Sequence, residues 1–166
     1  MKPKIVLLRG KPTSGKSTAF ASLKNKKQFK NWVLIDHPEL KNWFKHVDDK
    51  KARKRALFAI MKQIMKEKKN ILLEEMSEKT LRKYINYHIK KYNYKIITFQ
   101  FTVGLKEAHK RDIQRTKAGK HEYFGEKKMQ KYHKLHEKRF DKNAIVVDCN
   151  KLNKKQVVNY ILKNLK

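Results

Sequence analysis

The feature that most constrains this chain is a glycine-bracketed segment close to its amino terminus. The mostly apolar residues 4–9 lead into residues 10–18, GKPTSGKST, which fit the pattern G-x-x-x-x-G-K-[ST]. A segment with helical character follows. The pattern predicts a strand, a tight loop and a helix in succession, and we call residues 10–18 the phosphate loop. A ligand-free turn between a strand and a helix is the alternative interpretation.

The residue order of the phosphate loop suits a polyphosphate. Gly10 and Gly15 let the backbone turn tightly and approach an anion, so that consecutive N–H groups point inward. The helix that begins at the end of the loop adds unpaired N–H groups and a favourable dipole. Lys16 would reach the β- and γ-phosphates, and the Ser17 hydroxyl would bind Mg²⁺. The predicted nucleotide-binding residues are Gly10, Lys11, Pro12, Thr13, Ser14, Gly15, Lys16, Ser17 and Thr18.

The charge balance of the chain is extreme. Its 166 residues include 44 Lys and Arg against 15 Asp and Glu, which gives a formal net charge of +29. A lysine-rich genome would raise the number of lysines but would not deplete acids, so the excess favours a polyanionic partner such as nucleic acid. The length suits one domain with a substantial core, and we expect residues 1–166 to form a single domain.

Targeting and redox signals indicate a cytoplasmic protein. No apolar run approaches the roughly 20 residues that a membrane-spanning helix needs. Residues 1–3 lead directly into the first predicted strand, which leaves no room for a signal peptide. The single cysteine, Cys149, excludes a disulfide framework, suits a reducing compartment and is expected to be a small core residue.

Short apolar runs alternate with segments of helical periodicity along the whole chain. Strands are predicted over residues 4–9, 32–35, 70–73, 95–101 and 144–147. Helices are predicted over residues 17–23, 50–68, 77–92, 105–117, 126–139 and 154–166. Continuous apolar strands alternating with helices predict a five-stranded parallel sheet covered on both faces, a three-layer α/β/α sandwich.

Acidic residues follow two of the predicted strands. Asp36 ends the second strand and Glu39 follows it. We expect the end of this strand to lie beside the end of the first one, because ligands of open parallel sheets bind at the carboxyl ends of the strands, and so expect both residues near the γ-phosphate. Glu74 and Glu75 end the third strand, where an acidic residue commonly holds the Mg²⁺ shell. Strand alternation sends these two side chains to opposite faces, so at most one meets the site directly. We favour Glu75 and leave Glu74 open.

Two arginines mark the helix predicted over residues 105–117. Arg111 and Arg115 are four residues apart and therefore share a helix face. Residues 118–124 contain a glycine and mixed polar side chains and are the best candidate for a mobile loop. The polar helix predicted over residues 126–139 follows, so we expect a helical lid region around residues 105–139.

Nucleotide-driven switching is the competing use of such a loop. A guanine-binding switch would carry N-K-x-D after a strand, and residues 150–153, NKLN, come close. The fourth position is Asn153, so the carboxylate that would bind the guanine base is missing. No D-x-x-G motif follows any predicted strand. The sequence therefore favours phosphoryl transfer.

The chain resembles the small P-loop kinases. It is most similar to the kinase domain of phage-type polynucleotide kinases, with zeta-toxin-like and nucleoside or nucleotide kinases as relatives. The segments that carry the resemblance are GKPTSGKST, WVLIDHPEL, NILLEEM, KEAHKRDIQRTK and IVVDCNKLNKKQVVNYIL. Of these, only the phosphate loop is a specific motif.

The resemblance implies an ATP- and Mg²⁺-dependent transfer of phosphate to a hydroxyl of a nucleic acid. Asp36 would be the general base, with Glu39 as the alternative. Arg111 or Arg115 would stabilise charge on the transferred group. These polynucleotide kinases typically carry an arginine shortly after the base, whereas this chain has only Lys41 there. A small-molecule, nucleoside or nucleotide kinase is the main alternative, and a non-catalytic ATP-binding accessory protein is the alternative from another class.

Aromatic residues interleaved with lysines could stack on the bases of such an acceptor. Aromatic residues on predicted helices are more often core, which is the competing interpretation. The candidates are Tyr84, Tyr87, Tyr92, Tyr94 and Phe124.

Overall fold

The computed structural model describes residues 2–46, 50–74, 76–119, 123–138 and 143–165. Within them, five parallel strands form one sheet in the order β2-β3-β1-β4-β5. This confirms the predicted sheet, and each predicted strand end lies within one residue of the observed end. The strands are β1 Lys4–Gly10, β2 Val33–Ile35, β3 Ile71–Glu74, β4 Lys95–Thr102 and β5 Ile145–Asp148.

Helices connect the strands and cover both faces of the sheet. None of the described helices is both long and apolar enough to span a bilayer. A 3₁₀ turn at Lys27–Phe29 precedes β2. The α-helices in the described ranges are α1 Lys16–Lys24, α2 His37–Trp43, α3 Lys50–Lys66, α4 Glu78–Lys91, α5 Leu105–Lys117, α6 Glu126–Lys138 and α7 Lys154–Lys163.

Strand alternation divides the core into two apolar clusters. Val6 and Leu8 of β1 pack beneath α1 and α7, on a side of the sheet that we call the α1–α7 face. Ile5 and Leu7 pack beneath α3 and α4, on the α3–α4 face. Strands buried on both faces have continuous rather than alternating apolar sequences, which explains the runs seen in this chain. Helices on both faces make the three-layer α/β/α sandwich.

The sheet order determines where a ligand can bind. β1 lies between β3 and β4: the chain crosses from β1 to β2 at one edge, returns to β3 beside β1, and then continues to β4 and β5 on the other side. Open parallel sheets bind ligands in the crevice at the carboxyl ends of the strands beside such a switch point. The phosphate loop follows β1 directly and therefore lies at this edge, which we call the carboxyl edge.

At Gly10, strand β1 lies so close to β4 that a side chain would collide with it. A Cβ atom at Gly10 would come within 2.7 Å of the Phe101 Cβ atom, closer than real Cβ atoms come to a neighbour. Phe101 is fully buried, so it has no room to move aside. Only glycine allows both strands to keep their positions here.

We expect Gly10→Ala to destabilise the protein by about 1–3 kcal/mol, as other overpacked substitutions do. The melting temperature in a thermal unfolding experiment should fall by at least about 3 °C. Gly104→Ala is the matched control, because its Cβ would lie 3.4 Å from the nearest atom, Asn150 Oδ1. An equal melting temperature for Gly10→Ala and wild type would contradict the close approach.

Candidate active site

The phosphate loop holds a backbone conformation suited to an anion. Thr13 and Gly15 have positive φ angles of 58° and 91°, which turn the chain so that neighbouring N–H groups can point inward. Gly15 is the N-cap of α1, and no side chain caps that helix end. Ser14 is fully buried, and its Oγ atom has no hydrogen-bond partner among the described residues. Unpaired donors at a helix amino terminus form an anion site.

Lys16 and Ser17 begin α1 and line the same site. Lys16 is 7% exposed, and its Nζ donates to the Lys11 carbonyl at 3.1 Å, so the ammonium group folds back over the loop. The Ser17 hydroxyl donates to Glu74 Oε1 at 2.6 Å. Glu74 itself is fully buried at the end of β3. The loop thus combines a cation, a hydroxyl and a carboxylate at its base.

Of the two glutamates at the end of the third strand, Glu74 is described, and it contacts Ser17 of the phosphate loop. Leu72 belongs to the cluster on the α1–α7 face, and Glu74 lies two residues later on the same side of the strand. Because α1 covers that face, its Ser17 hydroxyl meets Glu74. Glu75 lies outside the described residues.

Ser17 and Glu74 together fit a magnesium ion. Hydroxyl and carboxylate oxygens are the hard ligands that Mg²⁺ prefers, and the ion is commonly bound by one or two such groups plus substrate phosphates. The two oxygens are already 2.6 Å apart beside the anion site. These two residues are therefore able to hold Mg²⁺ next to a polyphosphate bound in the loop.

A cavity of about 550 Å³ opens beside the phosphate loop. This size is typical of sites for small molecules and cofactors. Besides the loop, α5 and the connection between β5 and α7 line it. The lining side chains outside the phosphate loop include Phe101, Arg111, Gln114, Arg115, Cys149, Leu152, Asn153 and Lys154. Of these, the sequence analysis had identified only Arg111 and Arg115 as site residues.

The two predicted lid arginines have different surroundings. The Arg111 guanidinium donates from Nε to Glu107 at 2.8 Å and from Nη2 to the Cys149 carbonyl at 2.9 Å. It therefore bridges α5 to the residue that follows β5. Arg115 is exposed, and neither a hydrogen bond nor an ion pair links its side chain to another described residue. Arg111 is a fixed part of the wall, whereas Arg115 is available to a ligand.

Cys149 is buried, as expected of a core residue, and it also borders the cavity. Burial raises the pKa of its thiol to about 11. The thiol is therefore protonated at neutral pH and adds apolar surface to the wall.

Local hydrogen bonds pair the polar groups of the segment after β5 and hold it in place. Asp148 accepts from the backbone N–H and the side-chain amide of Asn150, at 3.0 and 2.9 Å, and these bonds lower the pKa of its carboxyl group. Asn153 and Gln156 form a capping box at the start of α7. Asn150 and Asn153, the two asparagines of the NKLN segment that resembles a guanine-binding motif, thus shape one wall of the cavity.

Asp36 lies at the carboxyl edge but not beside β1. Strand β3 separates β2 from β1, and Ile35 pairs with Leu73, so Asp36 is level with Glu74 one strand away. Neighbouring strands lie about 5 Å apart. Asp36 Oδ1 accepts from the Glu39 backbone N–H at 3.2 Å at the start of α2. Asp36 is half-buried and the Glu39 side chain is exposed.

Two contacts that no local sequence pattern predicts connect the phosphate loop to α5 and α6. Lys11 Nζ forms an ion pair with Glu137 Oε1 at 3.0 Å, and this bond lowers the pKa of the Glu137 carboxyl group. Thr13 donates from Oγ1 to the Ala108 carbonyl at 3.1 Å. A β-branched residue at positive φ is strained, and the bond to α5 helps to hold Thr13 in that conformation.

A buried carboxylate of α5 binds the two residues that precede α6. Asp112 is fully buried, and its Oδ2 accepts from the backbone N–H groups of Phe124 and Gly125, at 3.1 and 3.4 Å. Of the loop predicted over residues 118–124, residues 120–122 lie outside the described part of the chain. The helices on either side are observed as predicted.

Comparisons with known proteins agree with this architecture. A family model described as Zeta toxin matches residues 1–163. No curated protein sequence matches the chain significantly. Among solved structures, the chain is similar to a putative kinase from Chloroflexus aurantiacus J-10-fl, at a TM-score of 0.67 and 12% identity over all of both chains.

Two further solved structures have similar folds. A gluconokinase from Sinorhizobium meliloti 1021 has a TM-score of 0.57 at 12% identity, over 99% of this chain and 92% of the other. A chain of the Pnkp1/Rnl/Hen1 RNA repair complex has a TM-score of 0.61 at 20% identity, over 86% of this chain and 48% of the other. Identities this low show the kinase-type fold alone, so the closer resemblance to phage-type polynucleotide kinases is not confirmed.

His133 offers a test of the contact between α6 and the phosphate loop. It is 4% exposed, its Nε2 has no hydrogen-bond partner among the described residues, and burial followed by the Lys11 charge lowers its pKa below 6.5. The unfolded chain therefore binds a proton that the folded protein does not, and stability falls as pH drops through 6.5. It levels off below the folded-state pKa.

We expect the stability of His133→Met not to show this loss as pH drops. Urea unfolding between pH 5 and 8 should show wild type losing stability relative to the variant toward low pH. The other titratable groups largely cancel in the difference. His46→Met, at an exposed position, is the matched control. Parallel curves for wild type and His133→Met would contradict a buried neutral imidazole beside Lys11.

Proposed function

The chain belongs to the Zeta toxin family, and from that premise we propose that it is an ATP-dependent phosphotransferase that moves the γ-phosphate to a hydroxyl of a nucleic acid. The observation that carries the proposal is the 2.6 Å contact between Ser17 and the buried Glu74, at the base of an uncapped helix and beside a cavity of about 550 Å³. We further propose that residues 1–166 act as one kinase domain with residues 105–139 as its lid.

The donor nucleotide would lie along the phosphate loop with its base in the cavity. Backbone N–H groups and the Lys16 ammonium bind the phosphates. The planar Arg111 guanidinium, held by Glu107 and the Cys149 carbonyl, provides a flat surface against which a base can stack. Ser17 and Glu74 hold Mg²⁺, which when bound neutralises charge on the β- and γ-phosphates.

Asp36 is our assignment for the general base. The acceptor hydroxyl gives its proton to the Asp36 carboxylate, its oxygen attacks the γ-phosphorus, and the bond to the β,γ-bridging oxygen breaks so that ADP leaves. The hydrogen bond from the Glu39 N–H occupies one lone pair of Oδ1 and orients the carboxylate, which leaves Oδ2 for the proton. Glu39 is the alternative base.

Arg115 is our assignment for the charge-stabilising arginine. It is exposed at the rim of the cavity, and no partner among the described residues occupies its guanidinium group. Arg111 already donates to two protein groups, so a new phosphate contact would cost it existing bonds. We therefore assign Arg111 to the cavity wall and Arg115 to the transferred phosphate.

The nucleic-acid acceptor is supported by charge rather than by fold. A formal net charge of +29 on 166 residues favours binding to a phosphodiester backbone. The similar solved structures include a protein of an RNA repair complex, a gluconokinase and a deoxyadenosine kinase, so their names do not select an acceptor. A small-molecule or nucleotide kinase is the second candidate.

Lys16→Ala should abolish phosphoryl transfer and weaken ATP binding, because the ammonium group beside the phosphates is lost. Glu74→Gln should retain ATP binding but raise the Mg²⁺ concentration needed for half-maximal activity at least about tenfold, a range seen for residues that orient metal ligands. Calorimetry and a Mg²⁺ titration measure both effects. Lys24→Ala, on the exposed end of α1, is the control and should behave as wild type. Unchanged Mg²⁺ dependence in Glu74→Gln would exclude the proposed metal site.

Asp36→Asn should reduce transfer by about 10²–10⁴-fold, the usual contribution of a general base, with ATP affinity unchanged. Asparagine is also a good helix cap, so α2 should keep its start. Labelled ATP is offered with 5′-hydroxyl RNA, 5′-hydroxyl DNA or nucleosides, and Glu39→Gln is the matched control. Full turnover in Asp36→Asn would move the base to Glu39 or elsewhere. Label only on nucleosides would favour the second candidate, and no label on any acceptor would favour a non-catalytic ATP-binding protein.

A further inference from the structure

Helix α4 presents aromatic side chains to solvent along one face. Tyr87, His88 and Lys91 follow steps of three and four residues and therefore share one side of the helix, and Tyr84 lies one turn earlier, just before a kink at the non-helical Ile85 (φ −134°, ψ 19°). We call these four residues the stripe. Tyr87 is 67% exposed and Tyr84 is 42% exposed. The buried face of the helix is formed by other residues, Leu81, Ile85 and Ile89. The stripe is thus separate from the core.

The other aromatic residues singled out in the sequence are not available in the same way. Tyr94 is buried and donates its hydroxyl to the Lys69 carbonyl at 2.6 Å. Tyr92 packs partly buried against the α3–α4 cluster, and Phe124 packs against the cluster beneath α5 and α6. Core packing explains these three, whereas it does not explain the exposure of Tyr87.

Neighbouring groups hold the stripe in position. Tyr84 stacks on Phe58 of α3, with ring centroids 4.5 Å apart and planes 15° apart. The Lys91 Nζ lies 5.6 Å from the Tyr87 ring centroid, and the Lys83 Nζ lies 5.8 Å from that of Tyr84. Each exposed tyrosine ring therefore has an ammonium group beside it. A ring next to a cation is the pairing that binds a base and its phosphate.

The charge around the stripe is almost entirely positive. Lys50–Lys66 contains seven Lys or Arg and no acid, and Glu78–Lys91 contains five Lys or Arg and one acid. That acid, Glu78, pairs with Arg82 at 2.7 Å. Lys62 and Lys66 follow Phe58 at steps of four along α3, so they lie on the side of that helix from which Phe58 stacks on Tyr84. The pKa of His88 is lowered by burial and then by the charges of Lys62, Lys91 and Lys66.

We propose that this surface, consisting of Lys62, Lys66, Tyr84, Tyr87 and Lys91, binds single-stranded nucleic acid by stacking bases on the tyrosines and pairing phosphates with the lysines. We call it the basic aromatic surface. Single strands expose the faces of their bases, which duplexes hide, and exposed aromatic rings flanked by lysines match them. A polyanionic occupant is favoured because α3 contains no acid and α4 contains only Glu78.

The position of the surface suits an acceptor strand. Helix α4 starts after β3 at the carboxyl edge, at its N-cap Ser77, and runs away from that edge. Tyr87 lies about 15 Å along the helix from Ser77, which four or five stacked nucleotides span at about 3.4 Å each. The nucleotide cavity is bordered by α5 and α7, whereas this surface lies over the α3–α4 face, so ATP and the strand do not overlap. Placing the strand's reacting end at Asp36 rests on the proposed function; binding to the surface does not.

The test measures binding of a 3′-fluorescein-labelled 12-mer of deoxythymidine to the full chain by fluorescence anisotropy, without ATP, at 50 and 200 mM salt. Tyr87→Ala should raise Kd about tenfold, whereas Tyr87→Phe should stay near wild type because the ring remains. Lys62→Gln/Lys66→Gln should raise Kd and reduce the slope of log K against log salt by about 1.4, since each phosphate contact on a single strand contributes about 0.7.

The matched control is Lys155→Gln/Lys163→Gln, which removes the same charge from exposed positions of α7, on the opposite face of the sheet. A salt slope within about 0.3 of wild type for this control supports a defined surface. Equal loss in both double variants would overturn the proposal in favour of a general coat of charge, and so would an unchanged Kd for Tyr87→Ala or no binding by wild type.

Phosphoryl transfer measured in parallel separates this proposal from the proposed function. Loss of 12-mer binding in Tyr87→Ala with intact transfer to a 5′-hydroxyl dinucleotide supports both, because a dinucleotide is too short to reach Tyr87. Binding of the 12-mer without transfer to any acceptor supports the surface and contradicts the kinase. Transfer to a 5′-hydroxyl oligonucleotide without 12-mer binding contradicts the surface alone.

Discussion

The contact between the Ser17 hydroxyl and the buried Glu74 carboxylate is the interaction on which the candidate site depends. A fully buried carboxylate is costly unless it is hydrogen-bonded, so Glu74 requires a donor at the end of β3. Ser17 provides one from the first turn of α1. The contact therefore fixes the amino terminus of α1 over the carboxyl edge, where unpaired N–H groups and the helix dipole create the anion site.

The rest of the phosphate loop is held in place by neighbouring elements. Thr13 keeps a strained left-handed conformation with the help of the Ala108 carbonyl, and Lys11 is paired with Glu137. These bonds connect the loop to α5 and α6. A loop held from outside loses little conformational freedom when it binds phosphate, which is the thermodynamic benefit of preorganisation.

The sheet was predictable because each strand is a short apolar run between polar segments, and these runs define the strand ends. The choice between Glu74 and Glu75 was not predictable from the sequence. Strands buried on both faces do not alternate in polarity, so they do not reveal which residues face α1. The Lys11–Glu137 pair joins residues that are 126 apart in sequence, and no local pattern encodes it. The four-residue spacing of Arg111 and Arg115 predicted that they share a helix face, and both line the cavity. The bond from Arg111 to the Cys149 carbonyl is a tertiary contact, which spacing does not predict.

Two kinds of anion binding follow from where the acids lie. Among the described acids, Glu74 and Asp112 are buried in hydrogen bonds and Glu107 and Glu137 are paired with Arg111 and Lys11, whereas α3 itself contains no acid. At the loop, buried and directional donors bind phosphate at short range, and salt screens such contacts weakly. On the outer surface of α3 and α4, exposed lysines act through a field that salt screens strongly. Ionic strength therefore separates the two sites, because raising it should release a bound strand while ATP stays in the loop.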